Sequence, residues 1–339
     1  MSKTTVICIV PVKNESWVLN DFIKCAQRWA DLIIIGDHNS TDQSAQIAQQ
    51  YDKVKVVPID NPMFDEGYRR KILWEEARKI PGKRLIISID ADEMISANWA
   101  ESAEWEQMLT APPGTRFRFD WLNLMPGINE AGLFDQMAAF VDDGTDFQFH
   151  NVKIHTPRIP DSASEIVHLK DIKLLHYVHI DSERMFSKHR YLKCYEFMET
   201  AMRPWRVCIT YQDTKINNYD APIIPLQKNW IDGFAWLDEY KSTGGGSRER
   251  RYWWDEEILN FFDLYGTKKF RKLNIWDVDW NRKAQMLGRT GNYSDPRSRF
   301  EKWIHNYIER HRENLKLRKE LKWKIIFRLG ILVLRPFGW

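Results

Sequence analysis

The first ninety residues repeat one pattern, in which a short apolar run is followed by polar residues and then by apolar residues at helical spacing. The apolar runs lie at 4–12, 31–36, 54–57 and 84–89. β-Branched runs of this kind predict strands that are buried on both faces. The segments between them predict helices at 17–29, 43–50 and 68–77. Strands that alternate with helices favour a parallel, doubly wound sheet, and we expect the run at 84–89 to be a central strand.

Polar side chains directly follow three of these four strands. Because the carboxyl ends of parallel strands meet at one edge of a sheet, these side chains should converge on one crevice. The chain has neither a G-x-G-x-x-G fingerprint nor a P-loop, so a nucleotide in this crevice would be bound in another way. The residues concerned are Asn14 and Glu15 after the first strand, Asp37, Ser40 and Asp42 after the second, and Asp90 and Asp92 after the fourth.

Asp90 and Asp92 are separated by a single residue. Two carboxylates so close together repel each other, and a divalent cation is the simplest partner for them. Oxygen ligands favour Mg²⁺ or Mn²⁺, which complete their shells with water and phosphate oxygens. The pair therefore predicts a metal–diphosphate site, although one Asp capping a helix is the alternative. Arg70, with its neighbours in 69–71, is the candidate for neutralising the remaining phosphate charge. The alternative is that these basic residues form a solvated helix face.

The motifs at 10–15 (Val-Pro-Val-Lys-Asn-Glu), 37–42 (Asp-His-Asn-Ser-Thr-Asp) and 90–92 (Asp-Ala-Asp) resemble those of the family 2 glycosyltransferases. The resemblance covers about residues 4–180 and implies an α/β, GT-A-like, doubly wound mixed and mainly parallel sheet. The pattern of the remaining residues adds a C-terminal helical extension to this fold. It also implies a nucleotide lined by Pro11, Val12, Asn14 and Glu15, with Asp37 on the base or ribose. Asp90 and Asp92 would be the DXD pair. His38 and Asn39 stand where the family commonly has Asp-Gly.

The middle of the chain should form the acceptor side, with strands at 117–124 and 138–141 and an extended segment at 153–159. Inverting transfer needs a carboxylate that takes the proton of the acceptor hydroxyl. Asp142 and Asp143 are the first candidates, ahead of Glu130 and Asp181, although Asp-Asp-Gly is also a turn signal.

Histidines of the same region are further candidates for the site. The resemblance implies that His176 joins the metal shell or touches the diphosphate, and a hydrogen-bonded core histidine is the alternative. His155 and Arg158 are candidates for the acceptor pocket.

The C-terminal third predicts helices and a distinct tail. We expect a nucleotide-sugar-binding half at 1–124, an acceptor-binding half at 125–235, and a helical extension at 236–339 with a hinge at 241–247. The tail joins many basic residues to an apolar cluster at 323–334, which is too short to cross a bilayer of about 30 Å. Residues 316–339 suit an interfacial anchor, and packing on the protein or on a second subunit is the alternative.

Composition limits the partners. The chain has 339 residues, 43% of them hydrophobic, and a net charge of +3 from 50 basic and 47 acidic residues, which does not indicate nucleic-acid binding. Its four cysteines have no metal-ligand spacing, which favours a reducing compartment. The first apolar run lacks a cleavage-site pattern. We therefore expect a cytoplasmic protein, peripheral at the inner face of the membrane.

Together these features predict a metal-dependent, inverting glycosyltransferase of the hexosyltransferase type. It would use Mn²⁺ or Mg²⁺ and move a sugar from a nucleotide-diphosphate donor to a glycan or lipid-linked acceptor. A non-catalytic nucleotide- or sugar-binding relative would keep the pocket without turnover. A nucleotidyltransferase usually has a Gly- and Arg-rich loop after the first strand, and 13–16 is not one. A haloacid-dehalogenase-like phosphatase is disfavoured by Met94 and by the position of the motif on the fourth strand.

Overall fold

The chain forms two compact units. The computed structural model describes residues 3–61, 64–145, 155–160, 165–200, 202–211, 221–243, 252–317 and 321–339. Met1–Ile180 with Ala221–Arg248 form the first unit, which we call the sheet unit. Asp181–Asp220 with Glu249–Trp339 form the second, which we call the helical unit. These units are structural, and the functional division at 124 and 235 stays a prediction.

The sheet unit alternates strands and helices over its first ninety residues, as the apolar pattern predicts. Its strands are β1 (Thr5–Val12), β2 (Leu32–Asp37), β3 (Val54–Pro58), β4 (Arg84–Ser88), β5 (Glu93–Ile95), β6 (Arg116–Leu124), β7 (Glu130–Val141), β8 (Ile166–His176) and β9 (Ile223–Pro225). Its helices are α1 (Ser16–Ala26), α2 (Ser44–Ala48), α3 (Glu66–Arg78), α4 (Ala103–Thr110) and α7 (Trp236–Thr243).

All these strands join one mixed sheet in the order β3-β2-β1-β4-β7-β6-β8-β5, with β9 on β7. The first four strands are parallel, with Cys8 level with Ile33 on one side and Ile87 on the other. β4 is central, as predicted. β7 runs antiparallel to both β4 and β6, and β8 runs parallel to β6. The predicted mixed α/β sheet is confirmed.

Helices cover both faces of the parallel part, which is the doubly wound arrangement. Cys8 and Val10 point to one face of β1 and join the core that α1 covers. Ile7 and Ile9 point to the opposite face and pack with Trp74 of α3. All four strand residues are fully buried, because successive side chains of a strand alternate between faces. Uninterrupted apolar runs are therefore what these strands require.

The predicted extended segment at 153–159 is only partly testable. Residues 153 and 154 lie outside the described part, and residues 155–160 form no strand. His155 has a φ of 59°, in the left-handed region. The backbone therefore turns here, and the turn brings Arg158 against the sheet.

The helical unit contains α5 (Ser182–Glu199), α6 (Pro204–Thr210), α8 (Trp253–Tyr265), α9 (Trp280–Met286), α10 (Arg299–Leu317) and α11 (Leu321–Leu334). Asp181 caps α5 by accepting from the Arg184 amide. Asp255 of α8 is buried and accepts from Ser187 Oγ at 2.7 Å and from Lys283 Nζ at 2.8 Å. These bonds tie α5, α8 and α9 together.

Two predictions about the C-terminal third are resolved in part. Residues 241–243 belong to α7 rather than to a hinge, and 244–247 lie outside the described residues. No helix in the described part of the chain is long and apolar enough to span a membrane. Of the tail, the side chains at 311–321, 323, 324 and 326 lie outside the described residues.

Candidate functional site at the carboxyl edge of the sheet

The strand directions gather one set of polar side chains at a single edge. β1, β2 and β4 are parallel, so the residues after Val12, Asp37 and Ser88 share that edge. β6 runs in the same direction as β4 because each is antiparallel to β7, and β8 is parallel to β6. The ends of β6 and β8 therefore add Asn123 and His176, which are paired in register. Sequence analysis predicted that the residues after β1, β2 and β4 meet at this edge. The pairing of β6 with β8 adds Asn123 and His176.

Asp92 and His176 face each other at this edge. The His176 Nε2 atom lies 3.5 Å from Asp92 Oδ2, and the two side chains are 9% and 15% exposed. The other ring nitrogen, Nδ1, lies 2.7 Å from the amide oxygen of Asn123. Because that oxygen can only accept, Nδ1 carries the proton in the neutral ring, and the Nε2 lone pair points towards the carboxylate. Two acceptors that face each other favour a cation between them.

The pair fits a divalent metal that arrives with further ligands. Neighbouring ligands of an octahedral ion at 2.0–2.1 Å are about 3 Å apart, so a small closure of the Asp92–His176 distance suffices. The Asn123 bond to the distal ring nitrogen is the orientation that metal-ligating histidines usually have. Among the described residues, no three His, Cys, Asp or Glu side chains are grouped to hold a metal by themselves. Water or phosphate oxygens would have to complete the shell.

Asp90 has a different environment from Asp92. Its carboxylate accepts from Arg158 Nη2 at 2.9 Å and from Arg70 Nη2 at 3.3 Å. Arg158 also pairs with Glu93, with Nη2 at 2.9 Å from Oε1. The predicted repulsion between Asp90 and Asp92 is thus met by arginines at Asp90, which therefore needs no metal for neutralisation. A metal-ligand role for Asp90 stays a prediction, and its partner Arg70 is committed to Asp90 and to Ser88 Oγ at 3.0 Å.

Arg158 is buried and strongly ionised. Burial alone would lower its pKa, but the charges of Asp90 and Glu93 raise the pKa above its usual value. Its guanidinium lies 5.7 Å from the ring centroid of Trp121, which stacks on His176 at 4.7 Å. Arg158 therefore links the Asp90 pair to the Asp92–His176 pair, and its predicted place in an acceptor pocket stays a prediction.

Arg69 is a further buried cation near this edge. It is 6% exposed, and within the described ranges it forms no ion pair with an acidic side chain. Burial lowers its pKa to about 10, with opposing contributions from Glu66 and Asp90. Only the Nε atom of its guanidinium is both shut off from solvent and without a partner. The guanidinium group is suited to bidentate pairing with an anion such as a phosphate.

The loops after β1 and β2 bind each other. Asn14 N donates to Ser40 Oγ at 3.0 Å, and Asn14 Oδ1 accepts from the amide of Thr41 at 2.7 Å. Asp42 accepts from the amides of Ser16 and Ser44 at 3.0 and 2.9 Å. Burial would raise the pKa of Asp42, but these hydrogen bonds hold it below its usual value. The nucleotide contacts of Asn14, Ser40 and Asp42 stay predictions. In the structure these side chains hold the loops after β1 and β2 together by hydrogen bonds.

The remaining predicted nucleotide residues lie beside these loops. Glu15 Oε2 accepts from the Trp17 indole at 2.6 Å. Pro11 and Val12 end β1 in register with Gly36 and Asp37, and the Val12 side chain is fully buried in the core. Only the backbone of Val12 therefore reaches the edge.

Asp37 and His38 carry buried polar atoms that have no hydrogen-bond partner within the described residues, namely Asp37 Oδ1 and His38 Nδ1. His38 Nε2 donates to the Asn61 carbonyl at 2.6 Å, and burial lowers the pKa of the ring. Asn39 has a φ of 52°, a conformation that Gly adopts freely and Asn tolerates. This explains how Asn can stand where the resembled family has Gly.

Asp142 and Asp143 are not brought to this edge. β7 is antiparallel to β4, so its end at Val141 lies level with Leu85, at the amino end of β4. Asp142 is buried there between Arg78 (2.9 Å) and Arg84 (2.7 Å). Burial would raise the pKa of Asp142, but the hydrogen bonds from Arg84 and Gly144 and the charge of Arg78 hold it below its usual range. Because β7 runs antiparallel to β4, these two candidates for the base lie away from the Asp90 edge.

The structure also identifies site residues that sequence analysis did not select. Glu93 is fully buried although it follows the Asp90–Asp92 motif, and Asn123 ends an ordinary strand pattern. No local signal marks either residue. Arg69 was a candidate for phosphate charge together with Arg70, and a helix register with Trp74 and Ala77 inward does not separate the two.

Comparison with known proteins finds partial structural likeness only. No family model and no curated protein sequence matches the chain. Glucosyl-3-phosphoglycerate synthase from Mycobacterium tuberculosis, solved with Mn²⁺, uridine-diphosphate and phosphoglyceric acid, is 18% identical over 35% of this chain and 43% of that chain, with a TM-score of 0.27. The matched part therefore spans less than half of that synthase.

Two further solved structures are similar over other shares of the chain. GalNAc-T7 with UDP, GalNAc and Mn²⁺ is 12% identical over 78% of this chain and 58% of that chain, with a TM-score of 0.36. 4-Diphosphocytidyl-2C-methyl-D-erythritol synthase is 13% identical over 42% of this chain and 76% of that chain, with a TM-score of 0.31. At these TM-scores the likeness carries no functional inference.

Proposed function

We propose that the sheet unit is a metal-dependent glycosyltransferase that takes a nucleotide-diphosphate sugar as its donor. The observation that carries the proposal is the Asp92–His176 pair, 3.5 Å apart with the ring oriented by Asn123, at the carboxyl edge of the sheet. A protein that offers a divalent ion only two ligands leaves the other positions to water and to ligand oxygens. A diphosphate supplies such oxygens.

The chain's own residues would divide the work as follows. Asp92 and His176 hold Mn²⁺ or Mg²⁺, and when bound the ion offsets the charge that develops on the departing diphosphate. Arg69, whose pKa responds to the charge of Asp90, would support the same phosphates with its guanidinium group. Asp90 is held in place by Arg70 and Arg158, so it keeps a fixed carboxylate towards the donor.

The nucleoside would lie over the ends of β1 and β2. The unpartnered oxygen of Asp37 is a buried acceptor, and a buried acceptor without a donor is costly unless a ligand supplies one. A base or ribose N–H or O–H would do so. The loop bracing by Asn14 and Asp42 holds the two strand ends at a fixed separation, which favours a rigid nucleoside site over one that forms on binding.

Inverting transfer would need a base that accepts the proton of the acceptor hydroxyl. Glu130 begins β7 at the carboxyl end of β6, two residues before Gly132, which pairs with Asn123. Its side chain is exposed. Glu130 is therefore the acidic candidate that the strand directions favour over Asp142, with a glycan or lipid-linked hydroxyl as the acceptor.

The experiment is a screen of UDP-, GDP- and ADP-linked sugars for nucleoside-diphosphate release, with Mn²⁺ or Mg²⁺ and with EDTA. Release should require the metal. Asp92→Asn should lower it more than about 100-fold, because even the outer partners of metal ligands cost 10–100-fold when lost. The matched control is Asp143→Asn, which removes an exposed carboxylate at the opposite edge of the sheet and should leave release within a factor of two.

Three outcomes would contradict the proposal. Pyrophosphate release from nucleoside triphosphates, without diphosphate release from sugars, would indicate a nucleotidyltransferase. Saturable binding of nucleotide sugars without turnover under any metal would indicate a non-catalytic relative. If Asp92→Asn and Asp143→Asn lowered nucleoside-diphosphate release equally, the reaction would not depend specifically on the carboxyl edge of the sheet.

A further inference from the structure

The helical unit carries an exposed apolar stripe on α11 whose position is set by helical spacing. Phe327, Ile331 and Leu334 are buried and pack with Ile304 of α10 and Cys208 of α6. The opposite side of the same helix remains apolar. Its members lie four, three and one residues apart, so they form a single stripe. They are Ile325, Leu329, Leu332 and Val333, with exposed fractions of 47%, 57%, 52% and 71%.

Aromatic residues extend this stripe beyond the end of α11. Phe337 is 57% exposed and lies 5.6 Å from the ring of Phe300 on α10. Phe300 in turn stacks on Trp303, which is also 57% exposed. Exposed apolar residues that are grouped together, unlike single scattered ones, mark interaction sites. Exposed Trp and Phe beside aliphatic residues are typical of groups that sit at a membrane interface.

Arginines border the stripe on one side and surround a recess. The recess has a volume of about 300 Å³ between α6 and α11, with a floor of Trp205, Phe327 and Ile331. Its charged lining residues are Arg203, Arg328 and Arg335, and no acidic residue from the described part of the chain lines it. Within the described part of the chain these three arginines form no ion pair. An apolar floor below unpaired cations complements a molecule that is apolar and anionic.

We propose that α6 and α11 form a surface that binds the face of an anionic lipid bilayer. The stripe enters the acyl boundary, the three arginines meet lipid phosphates, and the recess receives an apolar lipid segment. α11 has 14 residues, a length of about 21 Å, so it lies in the interface rather than crossing a bilayer of about 30 Å. We favour a lipid surface over a second copy of this chain. In a symmetric dimer through this surface, the arginines of one copy would face those of the other and repel them.

The test measures co-sedimentation of the full chain with vesicles of phosphatidylglycerol and of phosphatidylcholine at 150 mM NaCl. Binding should require phosphatidylglycerol. Because each basic residue near an anionic surface contributes about fivefold, Arg328→Gln with Arg335→Gln should lower the partition coefficient about 25-fold. The matched control, Lys24→Gln with Lys170→Gln, removes the same charge from exposed positions of the sheet unit and should change it less than threefold.

A second variant tests the apolar part. Leu329→Gln with Val333→Gln keeps every charge and should lower the partition coefficient more than about tenfold, since it removes two large apolar side chains from the interface. Both pairs are exposed, so unchanged circular dichroism is expected for each variant. The proposal would be overturned if the wild type did not bind phosphatidylglycerol vesicles, or if the lysine control lowered the partition coefficient as much as the arginine variant. It would also be overturned if the wild type bound no vesicles and formed a dimer that the Leu329/Val333 variant dissociated.

Discussion

At the residue scale, neighbouring carboxylates of one motif have different environments. Asp90 is neutralised by two arginines, whereas Asp92 faces a histidine whose ring is fixed by Asn123. Repulsion between two close carboxylates was the reason to expect a metal at both. The arginines remove that reason at Asp90, whereas Asp92, whose charge also raises the pKa of Arg158, faces the Nε2 atom of His176. Which member of an Asp-x-Asp pair attracts a cation is therefore decided by residues far along the chain.

Asn123 should control metal affinity without touching the metal. Replacing it with Leu removes the acceptor for the Nδ1 proton, so the ring can rotate or change tautomer, and we expect Mn²⁺ affinity in the presence of UDP to fall about 10–100-fold. Asn123→Asp keeps an acceptor at the same place and should retain affinity. Titration calorimetry measures both. Equal affinity of the Leu variant and the wild type would contradict this role for Asn123.

Asp142 should matter for stability rather than for turnover. Asp142→Asn leaves Arg78 and Arg84 without their shared carboxylate, and breaking such a pair costs about 3 kcal/mol. The pKa of Asp142 is lowered in the folded state, so its contribution is present above the unfolded pKa of about 4 and is lost as the pH falls through the folded pKa. The difference between wild type and variant should therefore shrink below about pH 4.

Urea unfolding at pH 7 and at pH 3 measures this difference. Asp143→Asn is the control, because Asp143 is exposed and surface substitutions usually change stability by less than about 0.5 kcal/mol. A variant as stable as the wild type at pH 7, or a difference that grows in acid, would show that the arginines do not depend on Asp142.

At the scale of elements, local pattern was sufficient for the strands that are buried on both faces. β1, β2 and β4 were predicted from uninterrupted apolar runs, and the edge that their carboxyl ends share followed from parallel order. The direction of β7 was not predictable, because an apolar strand looks the same in either direction. Because the direction of β7 was unknown, Asp142 was chosen as a site residue although it lies at the opposite edge, and Asn123 was not chosen. β5 has only three residues, too few for any pattern.

Close packing of α11 on α10 depends on Gly330. An added Cβ there would lie 1.9 Å from Tyr307 Oη and 2.7 Å from Cζ. Alanine favours a helix over glycine by about 1 kcal/mol, but overpacking of this severity costs about 1–3 kcal/mol, so Gly330→Ala should destabilise the helical unit. In a Tyr307→Ala background the same change should become stabilising. Thermal melting of the four proteins gives the coupling, and additive effects would rule out the contact.

At the scale of the whole molecule, the sequence indicated an α/β part followed by a helical part, and both are present. The exchange of segments between them was not foreseeable: 221–248 returns to the sheet unit, where β9 pairs with β7. A strand of three residues at the edge of a sheet is recruited by a partner that is distant in sequence, and nothing within 223–225 specifies that partner. Long-range pairing of this kind is a property of the folded sheet.

Metal removal tests how the site is related to the fold. Because Asp90 and Glu93 are paired with arginines, the sheet unit does not need a metal to offset their charge, and EDTA should leave the melting temperature unchanged. With only Asp92 and His176 as protein ligands, Mn²⁺ alone and UDP alone should each raise it little. Together they should stabilise the protein by about 2.7 kcal/mol at one hundred times the dissociation constant, or roughly 5–10 °C for a domain of this size.

Differential scanning calorimetry with each combination measures this, and His176→Ala should abolish the joint effect while Asp143→Asn preserves it. If Mn²⁺ alone stabilised the protein as much as Mn²⁺ with UDP, the ion would be held by protein ligands alone, and the diphosphate would no longer be the group that completes its shell.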